Sequence, residues 1–590
     1  MEKAAVKSTL SDVERKAARA GNEAFMVSWR RKIVELLALL LGGVVTTLAV
    51  PDFNWPVAIW FCLIPLYWVV RFKSPLKAWL CGYIWGLASL FTGFFWLREI
   101  QPAIPFMIAP ILALLPATWS LIAAFLHRNL LYPANTQLQG FDRVNSYIPS
   151  PQKEFLLATV LAALWVLSEW AKAWLLPWNF LSASQWQNLS LIQICSYTGT
   201  YGVSFLIVLV NITFAMAISN GLKQPMKSAP AARFRRPLPF VITMFIMMGV
   251  IMYGSSKLRH SGMTSTSMVQ FSPALLQGDI SQRRQANNAE AQEALDVYME
   301  MSKKIVAQKP DLIIWPETAV PYPYRGAETV CRDYRFQLFS LIQKSKIPML
   351  IGTVEFEDLP AGTTRTSGIT NAAVLIGKTG EPIAKYEKIK RVPFGEYVPF
   401  RRFLPEWLVK IADMGRDLTP GKSLSPMNIS PGIQAGIAIC FEDVFDFIAR
   451  EEARRGANLL LVISNDAWYP TSSEPAQHLA ISIFRAVETG LPMLRVGNNS
   501  ASCLIKPTGE ITECLMTKKL SNGKIVLAPE LRGRAAGVFP ILVELTPKPT
   551  FYTRFGNIFI AFCWLLSVTG ISIASITWYH KKIALLKLTK

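Results

Sequence analysis

The sequence predicts a membrane protein with two parts: a domain of about eight transmembrane α-helices, and an α/β domain inserted before the last helix. Of the 590 residues, 51% are hydrophobic and only 17% are charged. Soluble domains usually carry about 25% charged residues, so a large part of this chain must lie outside water. Between about residues 266 and 534, by contrast, short β-rich segments alternate with polar helical segments. That alternation is typical of layered α and β structure.

Eight apolar segments approach the roughly 20 residues that a helix needs to cross a bilayer. The second is short, and we expect it to be tilted or hairpin-like. The predicted spans are residues 33–50, 56–70, 78–97, 104–126, 155–176, 202–219, 237–253 and 555–579.

The positions of the basic residues predict the orientation of these spans. Lys and Arg crowd the N-terminus, the loops after the second, fourth and sixth spans, and the C-terminal tail. The positive-inside rule assigns those segments to the cytoplasm and the α/β domain to the opposite side. We therefore expect a multi-pass protein of the bacterial inner membrane whose α/β domain is periplasmic. This distribution of basic residues also explains the formal charge of +21. The charge therefore does not indicate a nucleic-acid-binding protein, and the sequence has no nucleic-acid-binding motif.

The predicted organisation follows from the spans. The first 32 residues are too charged for a signal peptide, and no cleavage site follows the first apolar segment, so we expect that segment to remain as an anchor. The predicted parts are a basic cytoplasmic segment (1–32), seven spans (33–258), the α/β domain (266–534), an eighth span (555–579) and a basic cytoplasmic tail (580–590).

The eight Cys and four His residues form no recognisable metal or disulfide framework. We expect neither a metal nor another cofactor. Whether any of Cys331, Cys503 and Cys514 form a disulfide stays open at this stage.

Three reactive residue types follow or end apolar strands, where a rigid scaffold can present a side chain to a cleft. Glu317 lies in DLIIWPETAV, Lys388 and Glu396 lie in YEKIKRVPFGEYVPF, and Cys440 lies in GIAICFEDVF. Each has a plainer interpretation when taken alone: a surface carboxylate, a solvated lysine, and an inert core cysteine. The functional interpretation is a cysteine nucleophile at a strand-to-helix turn, with Glu317 as its base and Lys388 as a nearby positive charge.

Together, and in this order, the three motifs resemble those of the nitrilase superfamily. The segments LLVISNDAWY (460–469) and RAVETGLPMLRVGNNS (485–500) extend the likeness, and GTYGVSFLIVLVN (199–211) adds a membrane segment. Over nearly the whole chain the sequence resembles the apolipoprotein N-acyltransferase family, a membrane-embedded branch of that superfamily. The resemblance implies an αββα sandwich with a Glu317–Lys388–Cys440 catalytic triad. One departure is Phe441, where better-known members carry Tyr.

The resemblance also implies the roles of the neighbouring residues. Lys388 would stabilise the thiolate and the oxyanion, and losing such a donor typically costs roughly 2.7–4 kcal/mol. Glu396 would be a second carboxylate that orients Lys388, and Glu442 would hold the turn after Cys440. Asn371, Phe441 and Trp468 would shape the substrate pocket.

The implied reaction has two steps. Cys440 takes an acyl chain from a membrane phospholipid as a thioester, and the α-amine of a lipoprotein's N-terminal diacylglyceryl-cysteine then accepts it. Partners are therefore a phospholipid donor, a diacylated prolipoprotein and the bilayer, and we expect a monomer. Segment 400–414 combines apolar residues at helical spacing with basic ones; it is either an interfacial lid or a core helix.

Two alternatives remain from sequence alone. A membrane-anchored nitrilase or amidase would use the same residues but hand the acyl group to water. A transporter or receptor with a degenerate outer domain would need intramembrane charges along a path, and Glu169 and Lys172 in the fifth span are the only notable pair.

Overall fold

The computed structural model describes residues 29–132, 149–222, 237–260, 267–281, 288–326, 329–357, 368–399, 401–403, 406, 417–469, 471–520, 524–529 and 531–588. Most of the basic N-terminal segment, most of the basic loops after the fourth and sixth predicted spans, and most of segment 400–414 lie outside these residues.

The membrane part is helical throughout. The helices are named in chain order: α1 (29–48), α2 (Ile64–Val70), α3 (Pro75–Gly93), α4 (Ile104–Leu112), α5 (Leu114–Leu131), α6 (Pro151–Ala173), α7 (Leu189–Ile192), α8 (Cys195–Thr198), α9 (Tyr201–Leu222) and α10 (Leu238–His260). After the α/β domain come the short α15 (Phe551–Phe555) and the long α16 (Ile558–Leu588).

Among the described residues, five helical stretches are long and apolar enough to cross a membrane, which makes this a multi-pass membrane protein. They are 104–131 (α4 with α5), α6, α9, α10 and α16. The other three predicted spans coincide with α1, with α3, and with a pair of short helices, Pro56–Phe61 and α2. The short second apolar segment therefore folds as two short helices. Pro56 is the first residue of one, and Pro65 lies in the first turn of the other, where proline is favoured. Eight spans stay a prediction.

The α/β domain contains two six-stranded mixed sheets. The first has the order β15-β2-β3-β4-β5-β6 and the second β12-β11-β10-β9-β8-β7. The first comprises β2 (Pro273–Gln277), β3 (Leu312–Ile314), β4 (Met349–Phe356), β5 (Ile369–Ile376), β6 (Pro382–Glu387) and β15 (Ala535–Val538). The second comprises β7 (Met427–Ser430), β8 (Ile433–Ile439), β9 (Leu459–Ser464), β10 (Met493–Gly497), β11 (Cys503–Ile505) and β12 (Ile511–Cys514). Two small pairs complete it: β1 (Met268–Phe271) with β16 (Ile541–Glu544), and β13 (Thr517–Lys519) with β14 (Ile525–Leu527).

The sheets pack face to face, with one helical layer outside each. Leu275 and Ile314 of the first sheet share a buried apolar core with Ile437, Ile463 and Val496 of the second. Helices α11 (Asn288–Ile305) and α12 (Thr329–Ser345) cover the first sheet, and α13 (Asp446–Arg454) and α14 (Glu474–Thr489) cover the second. The αββα sandwich implied by the motifs is therefore confirmed. Strands β3, β4, β5 and β8 to β11 lie on β-rich segments that the sequence predicts as strands, at residues 311–315, 349–354, 371–376, 433–440, 458–464, 493–496 and 502–505. The sequence did not predict the buried inner strand β2, nor the short and partly polar edge strands.

The α13 and α14 layer also contacts the membrane helices. Phe441, Ile448 and Ile483 belong to the same buried cluster as Trp178 and Ile192 of the membrane part. Burial of apolar area at this boundary stabilises the attachment by about 25 cal/mol per Å². The second sheet is thus attached to the membrane domain through its helical layer and through the turn that contains Cys440.

Candidate active site

A buried ammonium group lies between two carboxylates at the carboxyl ends of the first sheet. Lys388 follows β6, and its Nζ is 3.0 Å from Glu317 Oε1 and 2.9 Å from Glu396 Oε1. The Lys388 side chain is 1% exposed. Burial alone would lower its pKa, but the two carboxylates outweigh that effect and hold the pKa well above its usual value. Lys388 is therefore a fixed positive charge.

The two carboxylates are themselves held by further donors. Asn371 on β5 donates from Nδ2 to both Glu317 Oε1 (2.7 Å) and Glu396 Oε1 (3.0 Å). The backbone N–H of Asn465 donates to Glu317 Oε2 at 2.9 Å, and that of Val392 to Glu396 Oε2 at 2.8 Å. Because every oxygen of this pair accepts a hydrogen bond, both side chains are locked in orientation. Asn371, predicted to line the pocket, orients the acidic residues.

Cys440 directly follows β8 and opens a short 3-10 helix, Cys440–Val444. Its backbone φ is +53°, a left-handed conformation that a non-glycine residue adopts only when surrounding structure enforces it. Burial raises the pKa of the Cys440 thiol well above its usual value, and Glu317 raises it further while Lys388 lowers it. Cys440 is therefore a neutral thiol within electrostatic range of Glu317 and Lys388, and it needs a base before it can act as a nucleophile.

Glu442 ties the Cys440 turn to the Lys388 loop. Its Oε1 accepts from the backbone N–H groups of Ile389 (2.7 Å) and Lys390 (3.0 Å). Its Oε2 accepts from the Ile439 N–H at 2.9 Å and from the Tyr386 hydroxyl at 3.0 Å. Burial raises the pKa of Glu442 to about 7. The carboxylate thus bridges the end of β8 and the end of β6, which fits the predicted holding role.

The two aromatic residues predicted to shape the pocket occupy different environments. Phe441 is buried, and its ring lies nearly parallel to Trp178 of the membrane part, with centroids 6.5 Å apart. Trp468 ends a short helix after β9 and is 40% exposed. Their roles in substrate binding stay predictions.

A second buried ion cluster lies behind Cys440, and the sequence-based reasoning missed it. Asp443 accepts from His478 Nε2 (2.6 Å) and Arg495 (2.6 Å), while Asp466 binds the same two cations at 3.2 and 3.3 Å. Asp466 Oδ1 is also 3.9 Å from Cys440 Sγ. Burial and Arg495 lower the pKa of His478, but the aspartates prevail and raise it to about 10. The signal available in the sequence was Arg495, a charge inside the otherwise apolar strand β10.

Cys440, Asp466 and His478 are residue types that bind metals, and one atom from each lies within 4.8 Å of the others. The surroundings do not suit a cation, because Arg495 is 3.0 Å from His478 Nδ1 and both aspartates already pair with positive charges. That no metal or cofactor is needed stays a prediction. All eight cysteines are free thiols, so Cys331, Cys503 and Cys514 form no disulfide in this structure.

Substitutions of Glu317 and Lys388 should change the reactivity of Cys440 in opposite directions. Glu317→Gln removes a negative charge that raises the thiol pKa, so alkylation by iodoacetamide at about pH 8 should accelerate by about tenfold. Lys388→Met removes the charge that lowers it, so alkylation should slow by a similar factor. Mass spectrometry of the Cys440 peptide across a pH series measures both rates. Cys514 in the same samples is the internal control. If both substitutions changed the alkylation rate of Cys440 in the same direction, the opposing effects of Glu317 and Lys388 on this thiol would be contradicted.

Removing the Glu442 carboxylate should destabilise the fold as well as the site. Glu442→Ala leaves four buried donors without their acceptor, at about 1–3 kcal/mol each. We expect a loss of at least about 3 kcal/mol, seen as a lower thermal midpoint in detergent. Glu451→Ala on α13, which removes only partly exposed ion pairs with Arg454 and Arg455, should change stability by less than about 1 kcal/mol. Equal effects of the two substitutions would contradict the bridging role.

Comparison with known proteins covers both parts of the chain. The model of the apolipoprotein N-acyltransferase N-terminal domain matches residues 42–213, and the carbon-nitrogen hydrolase model matches residues 273–525. The apolipoprotein N-acyltransferase of Geobacter metallireducens is 28% identical over 93% of this chain and 96% of its own. That of Rickettsia prowazekii is 26% identical over 92% of this chain and 97% of its own.

Among solved structures, an amidase from Nesterenkonia sp. AN1 is similar at 19% identity, covering 50% of this chain and 99% of the amidase, with a TM-score of 0.31. The likeness to the curated relatives runs through the membrane helices and the α/β domain alike, at nearly full length on both sides. The resemblance that the motifs indicated is thereby confirmed, and this chain belongs to the apolipoprotein N-acyltransferase family.

Proposed function

We propose that this protein transfers a fatty acyl chain from a membrane phospholipid, through a thioester on Cys440, to the α-amine of a lipoprotein's N-terminal diacylglyceryl-cysteine. The observation that carries the proposal is the buried Glu317–Lys388–Glu396 cluster beside a cysteine held in a left-handed turn. A neutral thiol, an adjacent carboxylate and a permanent cation are what acyl transfer through a thioester requires.

In the first step, Glu317 takes the Cys440 proton as the sulfur attacks the ester carbonyl carbon of the donor. The carbonyl oxygen becomes an oxyanion, which the Lys388 ammonium stabilises. Collapse of this intermediate breaks the C–O bond of the ester. The leaving glycerol oxygen receives the proton from Glu317, which gives a lysophospholipid and an acylated Cys440.

In the second step, the neutral α-amine of the acceptor attacks the thioester carbonyl. Glu317 accepts a proton from the amine, and Lys388 again stabilises the oxyanion. Breaking the C–S bond forms the amide and returns the proton to sulfur. Glu317 therefore acts as base and then as acid in each half of the cycle.

The membrane part supports lipids as substrates. Both carry at least two acyl chains and cannot readily leave the bilayer. Phe441, next to Cys440, packs on Trp178 of the membrane domain, so the reactive sulfur sits near the helices rather than on a tethered domain. We further propose that the protein lies in the inner membrane with its α/β domain in the periplasm, on the basis of the basic loops. We also propose that it acts as a monomer, because one chain supplies Glu317, Lys388, Glu396 and Cys440.

The decisive test is incubation of the purified protein in lipid nanodiscs with a phospholipid and a synthetic diacylated lipopeptide. We expect mass spectrometry to show one added acyl chain on the lipopeptide and, without acceptor, a thioester on Cys440. Cys440→Ala should lower transfer by at least about 10³-fold, as loss of a nucleophile does in other covalent enzymes.

Cys514→Ala, which removes another partly buried thiol, is the matched control and should retain transfer. Release of free fatty acid with no added mass on the lipopeptide would instead identify a hydrolase. Full cellular function of a Cys440→Ser variant would support a transporter or receptor.

A further inference from the structure

Two charged residues lie near the C-terminal end of α6, inside the membrane domain. Glu169 and Lys172 are 3% and 7% exposed, and both belong to a helix that is apolar enough to span a membrane. Ionisable groups at such positions are costly to bury and usually have a function. Neither is part of the proposed chemistry at Cys440.

Both side chains bind the backbone of the loop that follows α6. Lys172 Nζ donates to the carbonyl of Asn179 at 3.0 Å, and Glu169 Oε1 accepts from the N–H of Leu181 at 2.9 Å. The Lys172 ammonium also lies 5.1 Å from the ring centroid of Phe180. The two residues, one helical turn apart, therefore hold a three-residue segment at both of its ends.

That segment has a backbone conformation that needs such support. Asn179 has φ of +54°, in the left-handed region that non-glycine residues seldom occupy. The hydrogen bonds at the Asn179 carbonyl and at the Leu181 N–H fix this turn. The backbone conformation of Asn179 therefore sets the orientation of Trp178, the residue before it.

Trp178 connects the loop to the active site. Its indole N–H donates to Gln477 Oε1 at 2.8 Å, and its ring lies against Phe441, the residue after Cys440. Trp178 is 1% exposed, so it has no room to relax without moving Phe441. The position of the loop is thus transmitted through one aromatic contact to the Cys440 turn.

We propose that Glu169 and Lys172 are positioning residues, which hold Trp178 against Phe441 and so keep the Cys440 turn in its reactive conformation. The inference rests on the proposed function, because it assumes that Cys440 is the nucleophile. It predicts a step-specific defect: acylation of Cys440 slows, while the binding of the phospholipid donor is unchanged.

The test is a single-turnover measurement of thioester formation in nanodiscs, with rates expressed per folded protein after size-exclusion chromatography. Glu169→Leu and Lys172→Met should each slow acylation by about tenfold or more, with the KM for the donor within twofold of wild type. Glu169→Gln keeps a carbonyl acceptor for the Leu181 N–H and should retain most of the rate, as should Lys172→Arg. Glu154→Leu is the matched control, because Glu154 is a buried carboxylate on the same helix that accepts from Asn220 at 2.8 Å.

Wild-type rates in Glu169→Leu and Lys172→Met would overturn the positioning role, as would an equal loss in Glu154→Leu. Iodoacetamide labelling of Cys440 gives a second readout, and its rate should change in the two disruptive variants only. If wild type itself forms no thioester, the proposed function fails. If wild type forms it and the disruptive variants do so equally fast, only the positioning role fails.

A separate feature is a groove of about 450 Å³ beside the segment that leads into the last span. It lies between the end of α13, the end of α14 and residues 545–554. Arg454, Lys548 and Arg554 line it, while no carboxylate does within the described part of the chain. Leu491, Leu545 and two prolines supply apolar lining. The groove therefore combines apolar walls with three basic side chains, of which Arg454 also pairs with Glu451 outside the groove.

The groove adjoins the start of α16, the last helix that is long and apolar enough to span a membrane. Arg554 belongs to α15, which ends three residues before α16 begins at Ile558. Phe551 and Phe555 on α15 are 38% and 55% exposed, as aromatic residues at a membrane interface often are. The anion most available at this level is the phosphate of a lipid headgroup, and basic clusters beside a span attract anionic lipids.

We propose that this groove binds the headgroup of an anionic phospholipid, separately from the donor at Cys440. Cys440 precedes the start of α13, whereas the groove lies at the end of that helix. The nine-residue helix is about 13 Å long, so the groove is distinct from the site at Cys440. The occupant is a lipid rather than free phosphate because the apolar walls give its glycerol and upper acyl carbons a surface to contact.

Native mass spectrometry of the detergent-solubilised full chain tests this with phosphatidylglycerol and phosphatidylcholine. The R454Q/K548Q/R554Q variant should bind phosphatidylglycerol at least about tenfold more weakly, with phosphatidylcholine binding unchanged. K506Q/K518Q/K519Q removes the same charge from exposed positions outside the groove and should bind as wild type does. Equal binding by both triple variants would overturn the site, and displacement of the lipid by about 10 mM inorganic phosphate would overturn the lipid assignment.

Discussion

The rest of the site depends on one buried ion cluster, in which the Lys388 ammonium lies between the carboxylates of Glu317 and Glu396. A lysine with 1% side-chain exposure would normally lose its proton, and only the two acidic partners keep it charged. Removing one partner from such a cluster typically costs 3–5 kcal/mol, because an unpaired charge stays buried. The cluster is therefore both a structural element and the source of the electrostatic field around Cys440. Burial and the Glu317 carboxylate raise the pKa of the Cys440 thiol more than Lys388 lowers it, so the resting cysteine stays protonated.

The Lys388 cluster can act on the Cys440 sulfur only because the turn after β8 holds Cys440 near it, with a strained backbone. Glu442 accepts four hydrogen bonds that connect this turn to the Lys388 loop, so the two strand ends cannot move independently. Behind the turn, Asp443 and Asp466 are neutralised by His478 and Arg495. These residues do not carry the proposed chemistry, but they hold a non-glycine residue at a positive φ where relaxation would withdraw the nucleophile.

The membrane helices do more than anchor the α/β domain. The second sheet and its helices share a buried apolar cluster with the helical part, and Trp178 joins the two through Gln477 and Phe441. This continuity gives a physical reason for fusing a nitrilase-like sandwich to several helices, since a hydrolase of soluble substrates needs at most a single anchor. It also explains how a pair of intramembrane charges, Glu169 and Lys172, can influence a turn in another domain.

The sequence by itself determined the class of fold, most spans, the central strands and the residues that carry the proposed chemistry. Those features depend on local patterns: apolar length, β-rich segments, and reactive side chains at strand ends. The sequence did not reveal the edge strands, the His478–Arg495 cluster or the hydrogen bond between Glu169 and the loop after α6. Partners such as Trp178 and Gln477 are 299 residues apart, and a side chain's charge state depends on neighbours that only folding brings together. Tertiary structure alone therefore decided which polar residues are buried, which of them pair, and how they hold Cys440.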